Sequence, residues 1–124
     1  SNRVEEVDLF FYHHKSPINT LVKEISDKQN SKLNEIKKVK TTTLNNILDK
    51  TNINRIDLLT IDVEGNELEV LKGFNLKYWK PKIIIIEHNF NKYKMRKITK
   101  IIEEQGYKKE LPIFSFHDFW FTSF

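Results

Sequence analysis

Two acidic segments of the chain each follow directly on an apolar run. The first, D-V-E-G-N-E, begins at Asp62 after I-D-L-L-T-I, and the second, E-H-N-F, begins at Glu87 after four isoleucines. An ionised carboxylate is costly to bury alone, so carboxylates in such a setting commonly have a partner or a function. Asp62 is the stronger candidate, because it interrupts the apolar run itself.

The side chains of these segments predict acid–base chemistry. His88 can accept a proton near neutral pH, since an unperturbed imidazole has a pKa of about 6.5. Asp62, Glu87 and His88 are therefore the predicted catalytic residues, with a hydrogen-bonded structural role as the alternative for His88 and helix capping as the alternative for Glu87. We expect Glu67 and Glu69 to complement the positive end of a helix dipole instead.

The elements around these segments alternate between strand and helix. Apolar strands are predicted at residues 56–63 and 82–87, both buried on both faces, and helices at residues 66–72 and 93–105. This order is typical of βαβ units with a parallel sheet. Because ligands of such sheets bind beyond the carboxyl ends of the strands, both acidic segments should meet at one rim of the sheet.

The flanking segments predict further elements of this α/β fold. Residues 26–34 read as a polar loop, and Thr42 or Thr43 can cap a helix whose buried side chains would be Leu44, Ile47 and Leu48. An aromatic closing strand should return antiparallel at or near the sheet edge. The remaining expectations are strands at residues 7–13, 36–41, 107–111 and 114–121, and a short helix near residues 18–25.

Composition excludes several classes of function. The 124 residues contain no cysteine, which removes disulfides, thiolate zinc sites and cysteine nucleophiles, and which fits the cytoplasm. No apolar run approaches the roughly 20 residues that span a bilayer. The net charge is +4, but no basic stripe with interleaved aromatic residues predicts nucleic-acid binding. Glycine-rich nucleotide motifs, the serine-hydrolase motif and the H-E-x-x-H zinc motif are all missing from this sequence.

Three ordered segments resemble the FkbM family of methyltransferases. They are T-L-N-N-I-L at residues 43–48, I-D-L-L-T-I-D-V-E-G-N-E-L-E-V-L-K-G at residues 56–73, and P-K-I-I-I-I-E at residues 81–87. Asn45, Thr60 and Asn66 depart from the residues usual in the family, which are Asp, Lys and Ala. All three departures leave Asp62, Glu64, Gly65 and Glu67 unchanged, so the resemblance holds.

The resemblance implies a fold and an activity. The fold would be a partial Rossmann-like class I methyltransferase sheet, with parallel central strands, antiparallel closing strands and an inserted strand pair. The activity would be methyl transfer from S-adenosylmethionine to a hydroxyl of a sugar, polyketide or other small molecule. The glycine-rich turn that holds the adenosyl group in such enzymes has no counterpart here. We therefore expect residues 1–124 to be the C-terminal part of one domain, inactive without the cofactor-binding half.

The resemblance also assigns roles at the predicted rim. It implies that Asp62, Val63 and Glu64 contact the cofactor. By analogy with catechol O-methyltransferases, it suggests a magnesium ion held by Asp62, Glu87 and Asn89, and oxygen ligands of this kind suit magnesium. Catalysis without a metal, with His88 or Asp62 as the base, is the alternative.

Two further expectations concern alternatives and partners. A non-catalytic α/β interaction module that lost its cofactor half is the competing function, and a glycine-rich turn encoded upstream would favour the enzyme. The strand that carries Asp62 should have an open edge, which predicts a homodimer through that edge, strand swapping or aggregation, unless the inserted strand pair folds over it. The enzymatic interpretation fails if Asp62 and Glu87 lie on opposite rims, or if residues 83–87 form a helix.

Overall fold

An antiparallel hairpin precedes the rest of the fold. Its strands are β1 (Glu6–Tyr12) and β2 (Leu33–Lys40), with Glu6 opposite Lys40, so the predicted inserted strand pair is confirmed. Strand β2 begins at Leu33, inside the predicted loop. Thr20 forms an isolated β-bridge with Phe10, so the predicted helix does not include this residue. The computed structural model describes residues 1, 3–12, 20–21, 33–88, 91–110 and 117–124, and the rest of that helix lies outside them.

A mixed four-stranded sheet forms the centre of the fold. Its strands are β3 (Leu58–Ile61), β4 (Ile83–Glu87), β5 (Lys108–Glu110) and β6 (Asp118–Thr122), in the order β3-β4-β6-β5. Strands β3 and β4 are parallel, whereas β6 is antiparallel to both β4 and β5. The parallel centre and the antiparallel closing strands are confirmed, with the aromatic strand one position from the edge.

Helices connect these strands. They are α1 (Leu44–Leu48), α2 (Glu67–Lys72), α3 (Leu76–Trp79) and α4 (Lys92–Glu103). Thr43 caps α1 as predicted, because its side chain accepts a hydrogen bond from the Asn46 backbone N–H at 3.0 Å. The inward position predicted for Ile47 is wrong, since this side chain is 49% exposed. Helix α3 was not predicted; it is a single turn capped by Asn75, too short to show a periodic pattern.

The core lies on one face of the four-stranded sheet. Alternate residues of the strands, such as Leu59, Ile61 and Ile84, join helix side chains in one buried cluster. On the opposite face, Leu58 is 54% exposed and Thr60 is also exposed. The prediction that residues 56–63 are buried on both faces is therefore wrong. The physical reason is that the described helices all contribute their buried residues to the same side.

Strand β3 is also shorter than predicted. It ends at Ile61, so Asp62 and Val63 lie beyond the strand and are exposed. Asp62 therefore does not interrupt a buried run, as the sequence pattern had indicated. At the other end, Asp57 precedes the strand and pairs with Arg55 and with Lys82, both on the surface.

None of the described helices is long and apolar enough to cross a membrane. The cytoplasmic location stays a prediction from the sequence.

Candidate functional site

The two acidic segments lie at the same rim of the sheet. Strands β3 and β4 run parallel with Ile61 opposite Ile86, so Asp62 and Glu87 follow at neighbouring strand ends. Across the other side of β4, Glu87 lies opposite Asp118, the first residue of β6. Asp62 and Glu87 lie at the same rim rather than on opposite rims, and residues 83–87 form a strand rather than a helix. The enzymatic interpretation therefore passes both tests set from the sequence.

His88 follows Glu87 and points into the covered side of the sheet. It is 7% exposed, and its ring packs on Phe119 with 4.6 Å between ring centroids. Its backbone N–H donates to the carbonyl oxygen of His117 at 3.0 Å, which ties the end of β4 to the start of β6. Burial lowers the pKa of His88, and the nearby Lys109 charge lowers it further, while Asp118 opposes both effects. The neutral imidazole is therefore favoured at pH 7.

A tight turn carries the first acidic segment from β3 into α2. Glu64 has φ of 50° and Gly65 has φ of 98°, and the Asn66 N–H donates to the Val63 carbonyl oxygen at 3.4 Å. Positive φ at both central residues is the pattern of a type I′ turn. Glycine adopts this conformation freely, whereas glutamate in the left-handed region is strained.

Three side chains hold this turn from different directions. Glu67 is 2% exposed, and its carboxylate accepts a hydrogen bond from the Gly65 N–H at 2.6 Å. The Lys94 ammonium, on α4, donates to the Gly65 carbonyl oxygen. The Thr20 hydroxyl donates to the Glu64 carbonyl oxygen at 2.8 Å. The backbone of this turn is therefore fixed on both sides of Gly65.

The carboxyl group of Glu64 lies in an unfavourable setting for a negative charge. Its pKa is raised by partial burial first, and then by the neighbouring charges of Asp62 and Glu67. A cationic ligand would relieve this repulsion, because an opposite charge stabilises the ionised carboxylate.

Two cavities border the rim. A cavity of about 450 Å³ beside the turn is walled by apolar side chains and by Asp62 and Glu64; its lining residues are Ser1, Leu9, Leu21, Val39, Asp62, Val63, Glu64, Asn66 and Val70. A cleft of about 600 Å³ lies between α4 and the closing strands, and includes Phe119 and Lys109, the neighbours of His88. Both volumes lie in the range of small-molecule sites, roughly 300–1,000 Å³.

The predicted magnesium site finds no support in the described part of the chain. There, no group of three or more His, Asp or Glu side chains could hold a metal ion. Asn89, the third predicted ligand, lies outside the described residues. The structure thus places Asp62, Glu87 and His88 at neighbouring strand ends, but it leaves a metal unsupported.

Sequence reasoning missed three contributors to this site. Glu67 was assigned to the helix dipole, yet it is buried and binds the Gly65 N–H. Lys94 gave no signal of a role at the site, yet its side chain reaches the turn. Asp118 lay in an aromatic segment and gave no signal, because only the register of β6 against β4 shows that it faces Glu87. The sequence did offer one signal for Glu67, because this residue lies two positions after Gly65 at the start of a predicted helix.

The fold and the rim together define an α/β domain with acidic residues at the carboxyl ends of its two parallel strands, the edge at which ligands of such sheets bind. The chain belongs to the FkbM methyltransferase domain family, whose model matches residues 2–109. That match includes the hairpin β1–β2 and helix α4, well beyond the segments that carried the resemblance.

A curated relative supports the same class of enzyme. The chain is 38% identical over 56 residues to methyltransferase sdnD of Sordaria araneosa. The matched segment covers 44% of this chain and 22% of that protein, so the similarity spans about a fifth of the relative's length. No solved structure matches the chain significantly. These findings place the chain in a methyltransferase family.

Proposed function

We propose that this chain supplies the acceptor side of an S-adenosylmethionine-dependent O-methyltransferase that acts on a hydroxyl of a sugar, polyketide or other small molecule. The observation that carries the proposal is the shared rim in a chain of this family, where Asp62, Glu87 and His88 follow neighbouring strand ends and Asp62 lines a cavity. The competing function, a non-catalytic interaction module, has no comparable observation in its favour.

The cavity beside the turn suits the methionine end of the cofactor. S-adenosylmethionine supplies an electrophilic methyl carbon on a positively charged sulfonium. Asp62 and Glu64 would hold this positive end, with Val63 as an apolar wall, and the raised pKa of Glu64 marks a place that a cation would stabilise. The adenosyl half would rest on a part of the domain that precedes these strands.

The acceptor hydroxyl must lose a proton as the methyl group arrives. His88 is the better base of the two candidates, because burial and Lys109 keep its imidazole neutral and able to take the proton. Asp62 is exposed at the end of β3 and would orient the hydroxyl toward the donor. Alignment and the exclusion of water, rather than covalent catalysis, would supply most of the acceleration.

Magnesium is given no step in this mechanism. The described residues lack a suitable set of ligands, so base catalysis by His88 or Asp62 is the version that we favour. Unchanged activity in excess chelator would support it.

The extent of the domain is also a proposal. Residues 1–124 would form the C-terminal part of one Rossmann-like methyltransferase domain, with activity confined to the full-length protein. Within the described residues, β3 has a strand partner on one side only, and its Leu58 is exposed. Strands from a preceding part of the domain would pair with this edge; without such strands, the chain would form a homodimer through the same edge.

The proposal is tested with the full-length protein and methyl-labelled S-adenosylmethionine. A panel of sugars and polyketides carrying free hydroxyls is incubated with wild type, Asp62→Asn and His88→Gln. Both variants should lose at least roughly tenfold in kcat, as expected when a general base or an orienting group is removed. Asp49→Asn is the matched control, because Asp49 is an exposed residue at the end of α1.

Two results would count against the proposal. Transfer by Asp62→Asn and His88→Gln at the wild-type rate would remove the rim from catalysis. No transfer by the wild type to any acceptor, together with no heat of cofactor binding, would favour the interaction module.

A further inference from the structure

A chain of contacts links the two halves of the candidate site through a single lysine. The Asn91 N–H donates to the His88 carbonyl oxygen at 3.0 Å, and the Asn91 side chain accepts from the Lys94 N–H at 3.1 Å. The Lys94 side chain then donates to the Gly65 carbonyl oxygen, in the turn after β3. Lys94 thus connects the segment after His88 to the segment after Asp62.

The same peptide region is held from its other side by Glu67. Its carboxylate accepts from the Gly65 N–H at 2.6 Å, although the side chain is almost fully buried. Hydrogen bonds to an ionised group are roughly twice as strong as neutral ones, and burial strengthens them further. The turn needs such restraint, because Glu64 is held in the left-handed region that glutamate rarely adopts.

We propose that Glu67 and Lys94 are positioning residues that clamp the backbone of Gly65, one at its N–H and the other at its carbonyl oxygen. This clamp sets the placement of Asp62 and Glu64 relative to His88. The functional part of this inference rests on the proposed methyltransferase activity. Neither residue is placed against the reacting atoms; both act through the backbone of the turn. A displacement of about 1 Å at a reacting centre can lower a rate roughly a hundredfold, so such restraint matters for catalysis.

The chain offers closely matched controls for both residues. Glu67→Gln is compared with Glu69→Gln, since Glu69 lies on the same helix but pairs with Lys72 at 2.6 Å on the surface. Lys94→Met is compared with Lys97→Met, since the Lys97 ammonium lies over the Tyr93 ring at 4.3 Å and is exposed. Lys94 is only half-buried, so its variant should fold even if Glu67→Gln does not.

The structural part is tested by amide hydrogen exchange with ¹⁵N-glycine labelling of the full-length protein. This chain contains only 3 glycines, and Gly73 and Gly106 donate to helix carbonyl oxygens away from the turn, so they serve as internal references. The Gly65 amide should exchange roughly tenfold faster in Glu67→Gln and in Lys94→Met, as expected when a charge-assisted hydrogen bond of a local unit is lost. It should be unchanged in both controls.

The functional part is tested by steady-state kinetics of the same variants. Lys94→Met should lower kcat at least tenfold while the KM for S-adenosylmethionine changes little, because alignment is lost and binding of the adenosyl group is not. The thermal midpoint of Lys94→Met should match that of Lys97→Met, which separates positioning from stability.

The outcomes distinguish the two proposals. If the wild type transfers no methyl group, the proposed function fails, yet faster exchange at Gly65 still supports the clamp. If Gly65 exchanges at the wild-type rate in both Glu67→Gln and Lys94→Met, the clamp is overturned. An active enzyme in which Lys94→Met keeps the kcat of Lys97→Met would overturn the positioning role.

Discussion

The two faces of the four-stranded sheet differ sharply in burial. On the covered face, Ile84, Ile86 and Phe121 are each 0% exposed and lie in one cluster with the helices. On the opposite face, their strand neighbours are only partly buried, and Leu58 is 54% exposed. The same apolar residue types therefore contribute very differently to stability, depending on which way the strand alternation points them.

This contrast shows that the two faces of the sheet have different roles. The covered face carries the buried cluster of the four-stranded sheet, with His88 at its rim. The open face presents apolar side chains, such as Leu58, that no described helix covers. The carboxyl ends of the strands, which are followed by the acidic residues, form the rim between the two faces. The candidate site therefore lies at the edge of the buried core.

The largest expected effect comes from a pair of neighbouring isoleucines in β4. Ile84→Ala should lower the free energy of unfolding by about 3–4 kcal/mol, because a fully buried side chain is replaced by a cavity. Ile85→Ala should cost about 1–2 kcal/mol, because Ile85 lies on the open face and is only partly buried. Urea denaturation of both variants measures the difference. Equal losses would mean that the open face is covered as well as the other.

Trp120, on the open face, offers a substitution that should not lower the stability of the protein. Its indole N–H is buried and has no hydrogen-bond partner within the described residues. Trp120→Phe removes this unpaired donor at a modest cost in packing, so stability should stay constant or rise by up to about 1 kcal/mol. Thermal unfolding measures the change. A loss above about 2 kcal/mol would indicate that the N–H has an acceptor after all.

Much of the fold follows from local pattern. The hairpin strands, the parallel pair and the amphipathic helix with Met95 and Ile98 inward were predictable, because alternation and helical periodicity are strong signals. The exposure of Leu58 was not predictable. An apolar strand at residues 56–63 reads as doubly buried, and only the tertiary arrangement shows that one side lacks a described helix.

The candidate site also has features that could be predicted from the sequence and features that could not. The placement of Asp62, Glu87 and His88 at one rim could be predicted, because each follows an apolar run and parallel strands end at the same edge of a sheet; their role in catalysis stays a prediction. Lys94 and Thr20 could not, because they reach the turn from distant parts of the chain. Contacts of this kind depend on how elements pack, and a single sequence carries no local signal for them.

The covered face also predicts a dependence on pH. The pKa of His88 is lowered in the folded protein, so the unfolded chain binds more protons as the pH falls. The contribution of neutral His88 is therefore fully present above its ordinary value of 6.5 and declines as the pH falls from there through the folded pKa. Thermal midpoints between pH 8 and pH 5 should drop less in His88→Gln than in wild type. Parallel curves for the two proteins would contradict this assignment.

The smallest expected effect is at the rim itself, where Glu64 carries a raised pKa because of burial and the charges of Asp62 and Glu67. The folded protein binds a proton at Glu64 more tightly than the unfolded chain, so the ionised carboxylate is destabilising at pH 7. This penalty disappears as the pH falls below the ordinary value of 4.5. Glu64→Gln should therefore raise stability at pH 7 by less than about 1 kcal/mol, since the group is partly in water.

The control for that change is Glu69→Gln, which removes a carboxylate paired with Lys72 and so should not stabilise the protein. Differential scanning calorimetry of both variants at pH 7 and pH 4 gives the comparison, and the advantage of Glu64→Gln should be absent at the lower pH. A stabilisation of equal size at both pH values would show that the repulsion at the rim is not its cause. If Glu64 holds the sulfonium as proposed, adding S-adenosylmethionine at pH 7 should cancel the stability advantage of Glu64→Gln over wild type. The bound positive charge would then neutralise the carboxylate that the wild type retains.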